Sequence, residues 1–308
     1  MLGRLFAAAV LVAAIFAVLV VSGTVHFDNS SLSISAGPSK SQKRAKRIAN
    51  PSRSVELGAA AAPITEASGL AVSRDNGGVV WTHNDSGGAA SLYALGRRGE
   101  IRATLPLSGA VNVDWEDMAI GPGPAGGPDW LYAADIGDND AVRPSVRVYR
   151  VAEPNLAGVA TGAVLAPAVS GSVELVYPDG PRDAEALIVD PKNNDLYVIT
   201  KREQRSRVYR ARAPSFVGET VTLKYLRSLD YGEVVGADVC WDGRTVLVKR
   251  YFELDAYHGR SVASALAGQP SSRKLDLEPQ GESVAADAKC RGYYTLSEGA
   301  GQPLVRYR

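Results

Sequence analysis

Acidic residues recur at two positions of a repeated pattern, and their chemistry suggests a cation site. The pattern is clearest in residues 112–139, where one acidic cluster precedes an apolar run and a second cluster follows the next apolar run. Similar stretches begin at Thr65, Arg182, Gly236 and Gly281. Aligned, the five stretches place one carboxylate at the start of each first run: Glu66, Glu116, Glu185, Asp238 and Glu282.

The second aligned position, at the end of the next apolar run, mixes acidic, basic and polar residues. Two antiparallel strands joined by a turn begin and end at the same edge of a sheet. Both aligned positions should therefore converge on one opening of the fold. The ligand-binding candidates are His83, Asp85, Asp135, Asp138, Asn139, Lys201, Arg202, Lys249, Arg250 and Glu298.

A ring of carboxylates needs compensation, because like charges brought close together raise one another's pKa. Calcium is one solution, since it takes about six to eight oxygen ligands. The other solution is an internal network, in which the four basic residues at the second position pair with acids of neighbouring repeats. Both alternatives remain open on the residues alone.

The elements that carry these positions are short strands. Runs rich in Val, Leu, Tyr and Thr, separated by Gly, Pro, Asn and Asp, indicate an all-β chain. The first-position acids are 44 to 69 residues apart, a spacing typical of propeller blades with loop insertions. We therefore predict a five-bladed β-propeller over residues 53–308, with a sixth blade possible in residues 154–173. The last repeat has only three strands, so residues 54–57 are predicted to complete it.

A Tyr near the centre of each of three predicted third strands (Tyr93, Tyr149 and Tyr209) is interpreted as a packing residue, as is Trp81. Cys240 and Cys290 should lie in adjacent blades on the face away from the acidic opening. They form a credible structural disulfide if their Cα atoms approach within about 7 Å.

Export is predicted from the first residues. An apolar run at residues 5–21 follows Arg4 and indicates a signal peptide or a single-pass anchor within residues 1–23. Residues 24–52 form a polar, basic linker. The expected location is the cell envelope or the extracellular space, with membrane attachment if the run is retained. The formal net charge of +1 and the absence of a basic stripe argue against nucleic acid as a partner.

Several short sequence segments resemble those of exported bacterial propellers of the SdiA-regulated and phytase-like group. They are residues 66–70 (EASGL), 114–117 (DWED), 183–186 (DAEA) and 297–299 (SEG). This resemblance implies a propeller and no particular reaction. A more distant similarity to calcium-dependent lactonase propellers implies that the acids opening the inner strands, Glu66, Glu116, Glu185, Asp238 and Glu282, hold a central metal. Those enzymes also use Asn ligands, and no Asn stands at this position.

Binding is the function that the sequence favours. The acidic opening would recognise a small molecule, an envelope polymer or a protein partner, with calcium as a candidate cofactor. The alternatives are a calcium-dependent phosphoesterase or lactonase-like hydrolase, with His83 as the candidate base, and a scaffold without a ligand. No nucleophile elbow or zinc-protease motif occurs in the sequence.

Overall fold

A computed structural model describes residues 54–124, 127–169 and 171–308, which form a five-bladed, all-β propeller. The apolar run and the basic linker predicted from the sequence lie outside these residues. Within the described part of the chain, no helix is long and apolar enough to cross a membrane. Strands and the single described helix are numbered below in chain order.

The innermost strand of each blade borders the propeller axis. Neighbouring blades cover both faces of these strands, which explains their continuous runs of apolar and small residues. Each inner strand contacts the inner strands of both adjacent blades, so the ring is closed. The inner strands are β2 (Ala67–Val72), β6 (Trp115–Gly121), β12 (Ala184–Val189), β17 (Val234–Val239) and β21 (Gly281–Ala286).

Two antiparallel strands follow outward in every blade, as the repeat predicts. The second strands are β3 (Val80–Asn84), β7 (Trp130–Asp135), β13 (Leu196–Thr200), β18 (Thr245–Arg250) and β22 (Tyr293–Ser297). The third strands are β4 (Ser91–Leu95), β8 (Val146–Ala152), β14 (Arg207–Ala211), β19 (Glu253–His258) and β23 (Pro303–Tyr307).

The outer strands complete the blades. The fifth blade ends with β1 (Ser54–Ala59), which pairs antiparallel with β23 and confirms the predicted closure by the N-terminal strand. The outer strands are β5 (Ile101–Ser108), β11 (Gly171–Val176), β16 (Lys224–Ser228), β20 (Ser271–Lys274) and β1 (Ser54–Ala59).

The residues considered for a sixth blade extend existing blades instead. Two short strands, β9 (Ala163–Val164) and β10 (Ala168–Val169), pair in parallel with β5 of the first blade. In the same way, β15 (Val217–Thr222) adds to β11 of the second blade. A short helix, α1 (Val262–Leu266), connects β19 to β20. The propeller therefore has five blades.

Apolar side chains fill the interfaces between adjacent blades in five clusters. Three of these clusters include the third-strand tyrosines, Tyr93, Tyr149 and Tyr209, each less than a tenth exposed. Trp81 is completely buried between the first and second blades. The interpretation of these aromatic residues as packing groups is confirmed.

The propeller has two faces. The mouth face is the face where the inner strands begin and the second strands end, and the opposite face carries the turns between these strands. Cys240 and Cys290 lie on the opposite face and form a disulfide, with their Cα atoms 5.5 Å apart. The predicted bond between the fourth and fifth blades is confirmed.

Candidate functional site

The acidic residues of the mouth are positioned by β-bulges. Near the start of every inner strand the pairing register slips, so that residues of the inner strand lack a direct partner on the second strand. Bulges commonly redirect a side chain next to a functional site. The residue in the slip is an acid in three blades, Glu116, Glu185 and Glu282, whereas the fourth blade has Val235 and the first has Ser68 and Gly69.

Two of the five aligned acids are therefore not equivalent to the others. Asp238 lies deeper along β17, where it is buried and accepts hydrogen bonds from the backbone N–H groups of Val239 and Ala286, both at 2.7 Å. Burial raises the pKa of Asp238 to about 7. The predicted equivalence of Asp238 with the mouth acids is wrong. Glu66 immediately precedes β2 and is exposed at the rim.

One side of the mouth is neutralised by the chain itself. The ammonium group of Lys201 pairs with the Glu185 carboxylate and lies 3.6 Å from the carboxylate of Glu282. The hydroxyl of Tyr251 donates to Glu282 at 3.0 Å. Although burial opposes it, the two carboxylates hold the pKa of Lys201 above its usual value. Lys201 thus links the third and fifth blades, on either side of the blade that carries Val235.

Two arginines neutralise further acids on this face. The guanidinium of Arg202 lies 2.8 Å from Asp183 and also donates to the side-chain oxygen of Asn139. Arg143 lies 2.8 Å from Asp135, which is almost completely buried. Each of these two pairs lies within one blade, so neither is one of the predicted pairs between neighbouring repeats.

Asp138 organises the β7–β8 loop. Its carboxylate accepts hydrogen bonds from the backbone N–H groups of Val142 and Arg143, at 2.9 and 2.8 Å. Its own N–H donates to Asp183 at 2.9 Å. Asp138 therefore fixes the loop that carries Arg143, a structural contribution to the site.

The other side of the mouth has acids without a protein cation. Asp85, Asp114 and Glu116 each offer an oxygen within 4.8 Å of the others. In the described part of the chain, none of the three forms an ion pair, and the nearby Arg143 is bound to Asp135. Burial and, to a smaller extent, the neighbouring acids raise the pKa of Glu116 well above its usual value, and burial raises that of Asp85 to about 6.

Glu116 also belongs to a second acidic group, with Asp183 and Glu185, whose oxygens again lie within 4.8 Å of one another. Glu185 is 4% exposed, and its Oε2 atom is buried without a hydrogen-bond partner in the described structure. A buried carboxylate oxygen without a partner is costly. A cation between these groups would satisfy that oxygen and neutralise Glu116, so the residues present fit a hard divalent ion.

Glu298, directly after β22, is a further acid of the mouth. Burial and the neighbouring Glu282 raise the pKa of Glu298 above its usual value. Asp85 and Glu66 contribute to the same effect.

The sequence alignment overlooked two acids that complete the mouth, Asp114 and Asp183. Each stands two residues before a bulge glutamate, in the phrases Asp114-Trp115-Glu116 and Asp183-Ala184-Glu185. This repeated D-x-E pattern was the available signal.

The backbone of Gly137 packs directly against two of these acids. A Cβ at this position would collide with the carboxylates of Asp114 and Glu116.

Asp117 lies on inner strand β6, where it contacts the backbone of three inner strands. It is completely buried and accepts hydrogen bonds from the N–H groups of Met118, Leu187 and Ala237, at 2.8, 2.8 and 3.3 Å. These donors come from the second, third and fourth blades. Asp117 therefore ties three inner strands together across the axis.

Other predicted candidates lie away from the mouth opening. His83 is completely buried beside Trp115, and burial lowers its pKa to about 4, so the ring is neutral near pH 7. Lys249 is also completely buried, 3.1 Å from Glu278. Arg250 pairs with Glu253 and with Asp255. Lys249 and Arg250 therefore belong to structural ion pairs.

Exposed apolar side chains surround the mouth on its loops. In the described part of the chain, half of the large exposed apolar residues lie on mouth-face loops, and the others lie on outer strands or on the short strands that extend them. The loop residues are between 54% and 88% exposed: Val111, Val113, Val142, Phe252 and Leu277.

Comparison with known proteins assigns the chain to no family. No protein-family model matches the sequence, and no curated protein matches it. The chain is similar to a solved structure of a nidogen/laminin complex, at 12% identity and a TM-score of 0.42, over 76% of this chain and 73% of the other. It is also similar to the Dos1 propeller, at 11% identity and a TM-score of 0.38, over 75% of this chain and 55% of the other.

Proposed function

We propose that this protein is an extracytoplasmic binding protein that holds a calcium ion in its acidic mouth and recognises a partner on the mouth face. The export prediction and the disulfide support a location outside the cytoplasm, since disulfides persist in oxidising compartments. The cation is supported by the asymmetry of the mouth.

The asymmetry is the observation that carries the proposal. Glu185 and Glu282 share the ammonium of Lys201, whereas Asp85, Asp114 and Glu116 have no protein cation in contact. A ligand-free scaffold would be expected to pair every acid. A soluble cation would serve the second side of the mouth as Lys201 serves the first.

Calcium suits this donor set better than a transition metal. The available ligands are carboxylate oxygens on several loops, and calcium accepts many oxygen ligands in flexible geometry. Asp85, Asp114 and Glu116 would hold the ion, with Asp183 and the unpartnered oxygen of Glu185 adjacent.

A macromolecular partner is favoured by the apolar rim. Exposed apolar residues are a common component of protein interaction surfaces. Val142, Phe252 and Leu277 are 71%, 59% and 88% exposed on separate loops, so a partner could contact several blades at once. A protein or an envelope polymer has the size for such contacts, and a charged group on it would meet the acidic centre.

Binding is favoured over hydrolysis by the surroundings of the candidate catalytic groups. His83 is enclosed between blades, and the cations nearest the mouth, Lys201 and Arg202, already bind carboxylates. A phosphoesterase or lactonase would need such groups available to its substrate.

The test is thermal unfolding of the full chain with calcium and with a chelator. A ligand that binds only the folded state at a hundredfold excess over its Kd should stabilise it by about 2.7 kcal/mol. We expect calcium to raise the melting temperature of the wild type and of Asp230→Asn, which removes an exposed carboxylate from the same face. Glu116→Gln should lose the effect.

Two results would contradict the proposal. If calcium leaves the wild type unchanged, the mouth acids form an internal network. If Glu116→Gln responds to calcium as the wild type does, the ion binds elsewhere on the chain.

A further inference from the structure

A groove of 660 Å³ lies on the opposite face, between the first and fifth blades. Three turns form its walls: residues 73–79 between β2 and β3, residues 96–100 between β4 and β5, and residues 287–292 between β21 and β22. Its volume is in the range of small-molecule sites. The groove is separate from the acidic mouth.

The side chains that line this groove are strongly basic. Asp287 is the acid among the described lining residues. The basic residues of the lining are Arg74, Arg97, Lys289, Arg291 and Arg306.

Two of these cations are already compensated. Arg74 pairs with Asp129, and its guanidinium stacks over the ring of Trp241. Arg306 lies 3.3 Å from Asp287. In contrast, no ion pair involves Arg97, Lys289 or Arg291 anywhere in the described ranges. The groove therefore carries three positive charges without a protein partner.

The cationic wall of the fifth blade is held in place. Asp287 accepts hydrogen bonds from the N–H groups of Lys289 and Arg291, at 3.0 and 2.9 Å. The disulfide ties Cys290, the residue between these two, to Cys240 of the fourth blade. Such a preorganised turn reduces the entropy lost when a ligand binds.

Arg97 is brought to the groove by a glycine. A side chain at Gly78, which has φ +85°, would collide with the Arg97 guanidinium. Glycine adopts this backbone conformation without strain. The guanidinium can thus lie over the β2–β3 turn and face the groove.

Apolar side chains also line the groove. Leu57 and Val72 contribute half-buried aliphatic surface, and Tyr294 contributes a half-buried ring. Val80 and Leu304 are buried behind them in the core. An inorganic anion could satisfy the cations but would leave this surface uncovered.

We infer that the groove binds an organic phosphate monoester, with the phosphate at Arg97, Lys289 and Arg291 and the apolar body of the ligand on Val72 and its neighbours. Three positive charges without an ion-pair partner exceed the single negative charge of a carboxylate ligand. A phosphate monoester carries about −1.5 to −2 charges near pH 7 and three acceptor oxygens. Guanidinium groups bind phosphate through paired hydrogen bonds.

The test is calorimetric titration of the full chain with three probes: hexyl phosphate, hexanoate and inorganic phosphate. Hexyl phosphate should bind at least about tenfold more tightly than either of the others, because only it satisfies both the cations and the apolar surface. The double variant Lys289→Gln, Arg291→Gln should weaken hexyl phosphate at least about tenfold. Arg212→Gln, an exposed arginine on the third blade, should bind as the wild type does.

A second variant separates the two parts of the site. Val72→Thr keeps the side-chain shape and all the charges but makes the surface more polar, so it should weaken hexyl phosphate about threefold and leave inorganic phosphate unchanged. Thermal unfolding of each variant verifies that it is folded.

The inference is overturned if hexyl phosphate does not bind the wild type, or if the double variant, shown to be folded, binds it equally well. Equal affinity for hexyl phosphate and hexanoate would overturn the assignment to phosphate. None of these results depends on calcium, so the outcome is independent of the mouth.

Discussion

The two sides of the mouth contain the same residue types in different electrostatic surroundings. On one side, Glu185 and Glu282 occupy bulge positions and share Lys201. On the other, Glu116 occupies the equivalent bulge position and faces Asp85 and Asp114 instead of a cation.

The difference shows that position in the repeat does not determine the role of a side chain. Equivalent glutamates are brought to the mouth by the same backbone irregularity. The charged or polar side chains of the surrounding blades then stabilise or destabilise the charge of each glutamate. The proposed calcium site follows from the missing partner, and each prediction below tests that contrast.

The largest effect is expected from removing the protein cation. Lys201→Met should lower the free energy of unfolding of the metal-free protein by about 3 kcal/mol, because it leaves Glu185 and Glu282 buried without compensation. Urea unfolding measures this change. This loss of stability should become smaller as the pH falls and the Glu185 carboxylate, whose pKa is raised by burial, becomes protonated. Lys224→Met, at an exposed position on β16, is the control and should change stability by less than about 0.5 kcal/mol.

Calcium affinity should depend on pH because of the uncompensated side. The pKa values of Glu116 and Asp85 are raised in the folded state, to about 6 for Asp85, so the folded protein without metal binds protons more tightly than the unfolded chain does. The stability due to these protons is present at low pH and is lost as the pH rises through the folded values. Calcium must displace the same protons. Its apparent affinity should therefore be about tenfold weaker at pH 5.5 than at pH 8, as calorimetry would measure. Equal affinities would mean that these acids do not bind the ion.

A matched pair of substitutions tests the contrast at equivalent positions. Without metal, Glu116→Gln should stabilise the protein by about 1 kcal/mol, because burial and the neighbouring acids disfavour the ionised carboxylate in the folded state and the neutral amide does not have to take up a proton on folding. Glu282→Gln should destabilise it by about 1 kcal/mol, because it weakens bonds to Lys201 and Tyr251. Chelator-treated protein unfolded in urea would show opposite signs. Changes of the same sign would contradict the asymmetry.

The smallest effect is expected at the rim. The guanidinium of Arg202 is 56% exposed, whereas its partner Asp183 is buried. Solvent screens the exposed guanidinium, and Asp183 keeps the hydrogen bond from the N–H of Asp138 when Arg202 is removed, so Arg202→Gln should reduce stability by about 0.5 kcal/mol or less. A loss above about 2 kcal/mol, measured in the same way, would place Arg202 with Lys201 as an essential counterion.

Much of the fold was predictable because it depends on local patterns. Apolar runs bounded by turn residues gave the strands, and their repetition gave five blades. The incomplete last repeat indicated that residues 54–57 must complete it. Cys240 and Cys290 could be paired because the repeat placed both on the same face of adjacent blades.

The candidate site was predictable only in part. Glu116, Glu185 and Glu282 were aligned correctly because their blades have similar bulges. Asp238 was not, since the slip in its blade falls at Val235 and Asp238 stands further along the strand, and the position of a slip leaves no clear mark in the sequence. The alignment likewise could not show that His83 would be enclosed between two blades.

The sequence by itself determined the all-β repeat, its closure, the disulfide and the acidic character of the mouth, because each depends on residue type and spacing along the chain. The tertiary structure alone decided which acids are neutralised. The partners come from different blades, as when Lys201 reaches Glu282 across the mouth. The same is true of the basic groove, where cations from turns distant in sequence converge. Electrostatic energy depends on distances in space, and only the closed ring of blades fixes those distances.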